Sequence, residues 1–201
     1  MSALRLETLH GAAIGARLDD LARLRIEVFR DWPYLYDGDA DYEAQYLAAY
    51  LRSADAIAVV ALDGDRVVGA STGLPLADED PAFRAPFEAA GIDLARVFYC
   101  GESVLLPAYR GRGLGHAFFD AREAQARALG RFDCTAFAAV DRDGADPRRP
   151  VDAHDNAAFW SGRGYVRQPA LSMRLAWKEI DAPVETDKSL TFWLRPLEPH
   201  A

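Results

Sequence analysis

Apolar and polar residues alternate over Leu4-Arg5-Leu6-Glu7-Thr8-Leu9, which predicts a short, half-buried strand. The period then changes. Ile14, Leu18, Leu21, Leu24, Val28 and Phe29 recur at helical spacing, so residues 13–30 are expected to form an amphipathic helix. It should stop before Trp32-Pro33, because the residue ahead of a proline avoids helical backbone. Trp32 to Gly38 reads as an aromatic-rich loop, and residues 40–53 as a second helix carrying Tyr42, Tyr46, Leu47 and Tyr50. The short β-branched run Ile57–Leu62, the turn signal Asp63-Gly64-Asp65 and the segment Arg66–Leu74 predict a hairpin. Residues 75–91, with Pro75, Pro81, Pro86 and Asp78-Glu79-Asp80, read as an inserted loop holding a short helix near 82–90.

Val97–Leu106 is an apolar strand ended by Pro107. Leu114–Leu129 is the clearest helix of the chain, with Gly130 as its cap. A strand over 132–140, a polar loop over 141–150, a helix over 153–161, and strands over 165–177 and 189–195 follow, the last two joined by the polar segment 181–188. No repeat and no sharp boundary divides the chain. One domain over residues 1–201 is expected, with its core over 4–180 and a C-terminal strand at 189–195.

Composition narrows the class of molecule. Half the residues are hydrophobic and 27% are charged, which excludes a disordered or fibrous chain. The formal net charge of -8 argues against a general nucleic-acid binder, since phosphate neutralisation needs clustered Lys and Arg, and against an anionic membrane surface. The acidic excess confers solubility and would also attract a cationic substrate. Two cysteines, Cys100 and Cys134, are too few for a disulfide framework and are expected to be reduced. Residues 1–15 lack a secretory pattern, and no apolar run reaches the ~18 residues that span a bilayer, so the default compartment is the cytoplasm. Richness in Ala, Arg, Asp and Gly suits a GC-rich bacterial gene. His154 sits near Asp152 and Asp155, but no second His or Cys lies at ligand spacing, so no metal site is expected.

The chemistry concentrates in Leu105-Leu106-Pro107-Ala108-Tyr109-Arg110-Gly111-Arg112-Gly113-Leu114-Gly115-His116. A strand runs into three glycines that open a helix. The unpaired N–H groups of the first turn and the helix dipole favour an anion there, and the glycines let backbone close on it. Arg110 and Arg112 add charge, and a pyrophosphate is the natural occupant. A dinucleotide fingerprint fails because His116 stands where its third glycine belongs, and no Gly-Lys-Ser/Thr completes a nucleotide-triphosphate loop. The spacing that fits is Arg-x-x-Gly-x-Gly at Arg110, Gly113 and Gly115. In this the chain resembles the GNAT superfamily of acyl-CoA-dependent N-acetyltransferases, and the order of predicted elements over about residues 4–195 is similar to that family's.

The resemblance implies a mixed α/β fold, with a central, mostly antiparallel sheet of about seven strands and helices on both faces. It implies acetyl-CoA as acyl donor. The backbone of Val104, Leu105 and Leu106 would pair with the pantetheine arm, and Arg110, Gly111, Arg112, Gly113, Leu114, Gly115 and His116 would hold the pyrophosphate. Phe159 and Trp160 occupy the place of the family's late aliphatic-Tyr pair. Glu102, on the strand that would carry the thioester, is the first choice for the base that takes the amine proton. The usual acid is a tyrosine where this chain has Trp160, so Tyr165, Tyr99, Tyr109 or water would protonate the thiolate. An acyl-enzyme at Cys100 is the lesser reading, since a cysteine in an apolar strand is usually a small core residue. The loop between the first two helices, with Trp32, Tyr34 and Tyr36, would receive the acceptor, and its aromatic faces suit a cation. Arg142, Arg148 and Arg149 would face the CoA 3′-phosphate or an acidic substrate, or simply solvent. The acceptor is thus a primary amine of a small molecule or peptide, and a homodimer is left open. A longer acyl-CoA, or CoA binding without turnover, are the competing readings.

Overall fold

The computed structural model describes residues 4–198; the outermost ends of the expected domain, residues 1–3 and 199–201, lie outside the described residues. Among the described residues seven strands form a single sheet in the order β1-β2-β3-β4-β5-β7-β6. The strands are β1 (Leu4–His10), β2 (Ile57–Asp63), β3 (Arg66–Pro75), β4 (Val97–Leu105), β5 (Cys134–Val140), β6 (Val166–Lys178) and β7 (Glu185–Pro196). Every neighbouring pair is antiparallel except β4 and β5. The described residues also form the α-helices α1 (Leu18–Phe29), α2 (Ala40–Arg52), α3 (Pro81–Ala89), α4 (Leu114–Ala128) and α5 (Ala157–Gly162), which cover the sheet. This is the mixed α/β architecture, with a mostly antiparallel sheet, that the resemblance implied.

The central strands β2 and β3 are buried along nearly their whole length, which is why they read as continuous apolar runs rather than alternating ones. Even the polar Ser71 and Thr72 of β3 are buried. At Asp63–Arg66 a two-residue turn with Gly64 at φ +60° closes the predicted hairpin. Helix α1 turns Leu21 and Leu24 into the core, and α2 does the same with Leu47 and Tyr50.

Three boundaries differ from expectation. Residues 11–17 form a 3-10 helix, so the predicted first helix is α-helical only from Leu18. Residues 153–156 are irregular, and α5 starts at Ala157 with the Asp155 carboxylate accepting from its amide. Strand β7 begins at Glu185 instead of 189, because polar Glu185–Lys188 pairs with Leu175–Lys178 of β6 in a hairpin arm.

Two irregularities shape the functional region. On β3 and β4, Ser71 pairs with Ser103 but Gly73 pairs with Cys100, so Thr72 stands opposite both Gly101 and Glu102. That is a β-bulge, which re-aims the side chains beyond it. The parallel β4–β5 ladder covers only Val97–Tyr99 against Cys134–Ala136, and pairing then stops. Beyond that point β4 and β5 run on without a ladder between them.

Candidate active site

Residues Tyr99 and Glu102 are three positions apart, so in a regular strand they would face opposite sides of the sheet. The bulge puts both in one cavity of about 110 Å³, walled by α1, α2, α3 and the ends of β5, β6 and β7. Arg122 of α4 reaches the bulge from the other face of the sheet. Fully buried, it donates from Nη1 to the carbonyls of Thr72 (3.3 Å) and Glu102 (3.1 Å), so one guanidinium binds the two strands at their irregular point.

The floor of the cavity is ionic. Arg25 donates from Nη1 to Oε2 of Glu102 at 2.7 Å and from Nε to Glu43, and all three side chains are buried. Burial works against the charge on Arg25, but the neighbouring Glu102 and Glu43 outweigh it and push the guanidinium well above its usual range. The rings of Tyr46 and Phe29 lie 4.1 and 5.1 Å from its Cζ. The other Glu102 oxygen, Oε1, is buried without a hydrogen-bond partner. One arginine between two carboxylates leaves this cluster with a net negative charge, beside an aromatic wall.

That wall consists of Tyr34, Tyr36, Tyr42, Tyr46 and Tyr99. Burial pushes the phenols of Tyr34, Tyr46 and Tyr99 up, so they act as neutral hydroxyls. Trp32 does not line the cavity; its ring lies under the Arg142 guanidinium, 5.5 Å from Cζ. Arg142 also donates to the carbonyls of Pro33 and Tyr34 and pairs with Glu179, which in turn pairs with Arg148. These two arginines are engaged inside the chain and fasten the aromatic loop to the end of β6.

At the end of β4, Gly111 and Gly113 have φ of +75° and +80°, and no neighbouring atom lies within 4 Å of where a Cβ would sit on either. The glycines thus serve the turn, not a close contact within the protein. Gly113 caps α4 without any side chain satisfying its first N–H groups. Arg110 and Arg112 donate only to the carbonyls of Leu105 and Ala108, with no carboxylate partner among the described residues, whereas most arginines here are ion-paired. Leu114 is buried, and His116 is exposed with its ring against Phe159 at 4.9 Å. Gly115 also packs near Phe159, and Trp160 lies against Phe137 and Trp193. The loop, the first turn of α4 and α5 therefore meet in one place.

Other assignments separate. Val104 is buried and Leu105 half-buried on β4, but the Leu106 amide donates to the Val68 carbonyl at 3.0 Å, so that N–H is committed to the β3 side. Tyr165 is buried on the α4 side of the sheet, bonded to Thr135 (2.8 Å) and Glu123 (3.2 Å), and does not line the cavity with Glu102. Burial pushes its phenol far up. Tyr109 is tied to Asp63 on the far side of the loop. Cys100 is buried in the core, and burial pushes its thiol up. Among the described residues no group of three potential ligands could hold a metal ion, and no helix is long and apolar enough to cross a membrane.

Arg25, Glu43, Arg122 and Glu79 escaped the reading of the sequence. A signal existed for two: Arg25 follows Leu21 by four residues, and Glu43 precedes Leu47 by four, so both lie on the buried stripe of their helices.

Among the described residues the sheet has one parallel junction, and it opens there beside the glycine-containing start of α4. The chain belongs to the GNAT acetyltransferase family, whose model matches residues 21–149. A search of curated proteins finds no match. Solved structures share the fold at low identity. The ribosomal-protein-alanine N-acetyltransferase of Brucella melitensis is 15% identical with a TM-score of 0.61, covering 95% of this chain and 99% of its own. For yncA of Salmonella typhimurium, solved with its cofactor acetyl-CoA, the values are 15% and 0.60, with 100% and 97% covered. For an acyl-CoA N-acyltransferase of Pseudomonas aeruginosa they are 19% and 0.57, with 96% and 99% covered.

Proposed function

We propose that this protein moves an acetyl group from acetyl-CoA to a primary amine of a small molecule or peptide. The observation that carries this reading is the junction of β4 and β5: the ladder stops at Tyr99, and the strand then runs between the carboxylate-floored cavity and the glycine turn. The free N–H groups of α4, with Arg110 and Arg112, suit the pyrophosphate. The β4 backbone near Val104 and Leu105 suits the pantetheine arm. Phe159 and Trp160 supply an apolar wall beside the first turn of α4.

In the cavity, the negative Glu43–Arg25–Glu102 cluster and the aromatic faces favour an ammonium ion. Glu102 Oε1, free of partners, takes the ammonium proton, and the neutral amine attacks the thioester carbonyl. The tetrahedral intermediate gives its remaining surplus N–H proton to water as the C–S bond breaks, leaving the neutral amide and releasing CoA as thiolate. A thiol of pKa about 8.5 needs little help to leave near neutral pH, so water protonates it and Tyr165 serves the core instead.

Thiol release from acetyl-CoA, followed across a panel of amines, tests the reading. Glu102→Gln should lower kcat about 100-fold or more at pH 7.5, while CoA binding by calorimetry changes little. Turnover equal to wild type would remove Glu102 from the mechanism.

A further inference from the structure

The cavity beside Glu102 offers a ligand very few polar partners. Among the described residues only two charged side chains line it, Arg25 and Glu102. Arg25 pairs with both Glu102 (2.7 Å) and Glu43, so the site is anionic as a whole. Glu102 is 5% exposed, and its Oε1 has no hydrogen-bond partner. Beyond the tyrosines the lining is apolar and includes Phe29, Phe83, Leu175, Trp177 and Leu190. One unpaired acceptor atom in such a chamber asks for one ammonium group on a body without charge. The volume of about 110 Å³ is close to the about 150 Å³ that holds a benzene ring, so that body is compact.

The walls leave little room for a polypeptide. The loop after α1 is sewn to the end of β6: Tyr36 bridges to Glu179, the Asp37 amide donates to the Lys178 carbonyl at 2.9 Å, and the Ile180 amide donates to the Leu35 carbonyl at 2.8 Å. Lys178 pairs with Asp37 at 2.8 Å, and Trp177 Nε1 donates to the Tyr34 carbonyl at 3.0 Å. Tyr34, Tyr36 and Trp177 belong to the lining, so these bonds close the wall between the loop and β6. Helix α3 also packs against β6, and it sets Phe83 on Tyr99 with ring centroids 5.2 Å apart. An extended peptide laid between the loop and β6 would have to break this clasp, and its amides would then meet an apolar lining.

We propose that the acceptor is a small primary monoamine with a compact apolar body, one ring or a short branched alkyl chain, in preference to a peptide amine, a diamine or a free amino acid. The proposal rests on the acetyl-transfer reading and narrows it. The ammonium group lies at Glu102 Oε1, and the body fills the space between Phe29, Phe83, Leu175 and Trp177. Glu102 takes one N–H proton and passes it to solvent. The nitrogen bonds to the thioester carbon, the C–S bond breaks, the second surplus N–H proton goes to water, and the thiolate takes one proton back. Ammonium plus acetyl-CoA thus gives the N-substituted acetamide, CoA and one proton. A carboxylate on the acceptor would meet the negative Glu43–Arg25–Glu102 cluster, and a second ammonium would be buried with no further carboxylate in the lining to pair it.

The test measures kcat/KM by thiol release for acceptors matched in body. 2-Phenylethylamine is set against free phenylalanine and against a short peptide that begins with phenylalanine, and butylamine against 1,4-diaminobutane. 2-Phenylethylamine should exceed the amino acid and the peptide by about 100-fold or more, and butylamine should exceed the diamine by about tenfold or more. Leu175→Ala, which removes apolar contact with the body of the amine, should raise KM for 2-phenylethylamine about tenfold and leave KM for acetyl-CoA at its wild-type value. An amino acid, peptide or diamine that equals or outruns its matched monoamine overturns the acceptor class and leaves the transferase reading standing. An unchanged KM for 2-phenylethylamine in Leu175→Ala overturns the placement of the body in this cavity. Wild type that binds acetyl-CoA by calorimetry yet releases no thiol with any amine overturns the transferase reading, and the acceptor class with it.

Discussion

At the level of single residues, position along the strand was readable and company was not. Glu102 stood out because a carboxylate interrupts the apolar run Val97–Leu106. That it would share an arginine with Glu43 depends on contacts between residues 77 apart, which no local pattern encodes. Tyr165 shows the reverse error: it lies close in sequence to Trp160, yet its hydroxyl is spent on Thr135 and Glu123 beneath the sheet. Glu79 read only as one of three consecutive acids in an inserted loop, but folding buries it. Its buried state has a consequence for stability independent of catalysis. Because its folded carboxyl is raised to about 7 from an ordinary 4.5, its contribution is fully present below pH about 4.5 and is lost as pH rises through about 7. A shift of that size corresponds to about 3 kcal/mol as an upper bound. Urea unfolding of wild type should therefore weaken between pH 5 and pH 8 relative to Glu79→Gln, which stays neutral throughout. Parallel pH profiles of the two proteins would show that the carboxyl is not desolvated.

At the level of elements, the glycine turn and α4 were the most legible part, because the conformation is written in residue types. Gly111 and Gly113 both adopt positive φ, which other residues reach only at a cost of about 1–2 kcal/mol. Gly113→Ala meets no neighbouring atom, so its effect should stay within the turn and the amides it orients. The expected outcome is a rise of about tenfold in KM for acetyl-CoA, equivalent to ~1.4 kcal/mol of lost binding, with kcat nearly unchanged. A fall in kcat at unchanged KM would place the turn in the chemistry instead of in donor binding. Elements were less legible where side-chain period and backbone hydrogen bonding disagree. Ile14 fits the helical stripe of α1, yet it belongs to the 3-10 helix preceding Leu18. Glu185–Lys188 looked like a linker because polar residues give no period, although pairing with β6 makes it a strand. In β6 the register slips between Gln168 and Ser172, around Pro169, which has no N–H to give to a ladder.

For the whole molecule, the sheet order and the two irregularities that make the site are tertiary facts. The apolar run of β4 announces a buried strand but not the bulge that turns Tyr99 and Glu102 to one side, nor the point where β5 parts from it. That parting divides the sheet into β1–β4 and β5–β7, joined by three ladder pairs and, just beyond them, by Arg96 of the β4 side with Asp133 of the β5 side. A ligand lying along β4, with its pyrophosphate on α4 and its arm against the α5 side, would bridge the two halves and bind only the folded chain. Mass action then stabilises the fold by about 2.7 kcal/mol at a hundred times Kd, which for a domain of this size raises Tm by roughly 5–10 °C. Acetyl-CoA should produce this shift in a thermal scan, Gly113→Ala should reduce it, and NADH at the same concentration should not reproduce it, because His116 replaces the glycine a dinucleotide site needs. An equal shift with NADH would mean that the turn recognises any pyrophosphate, and no shift with acetyl-CoA would mean that the gap between β4 and β5 is not where the donor binds.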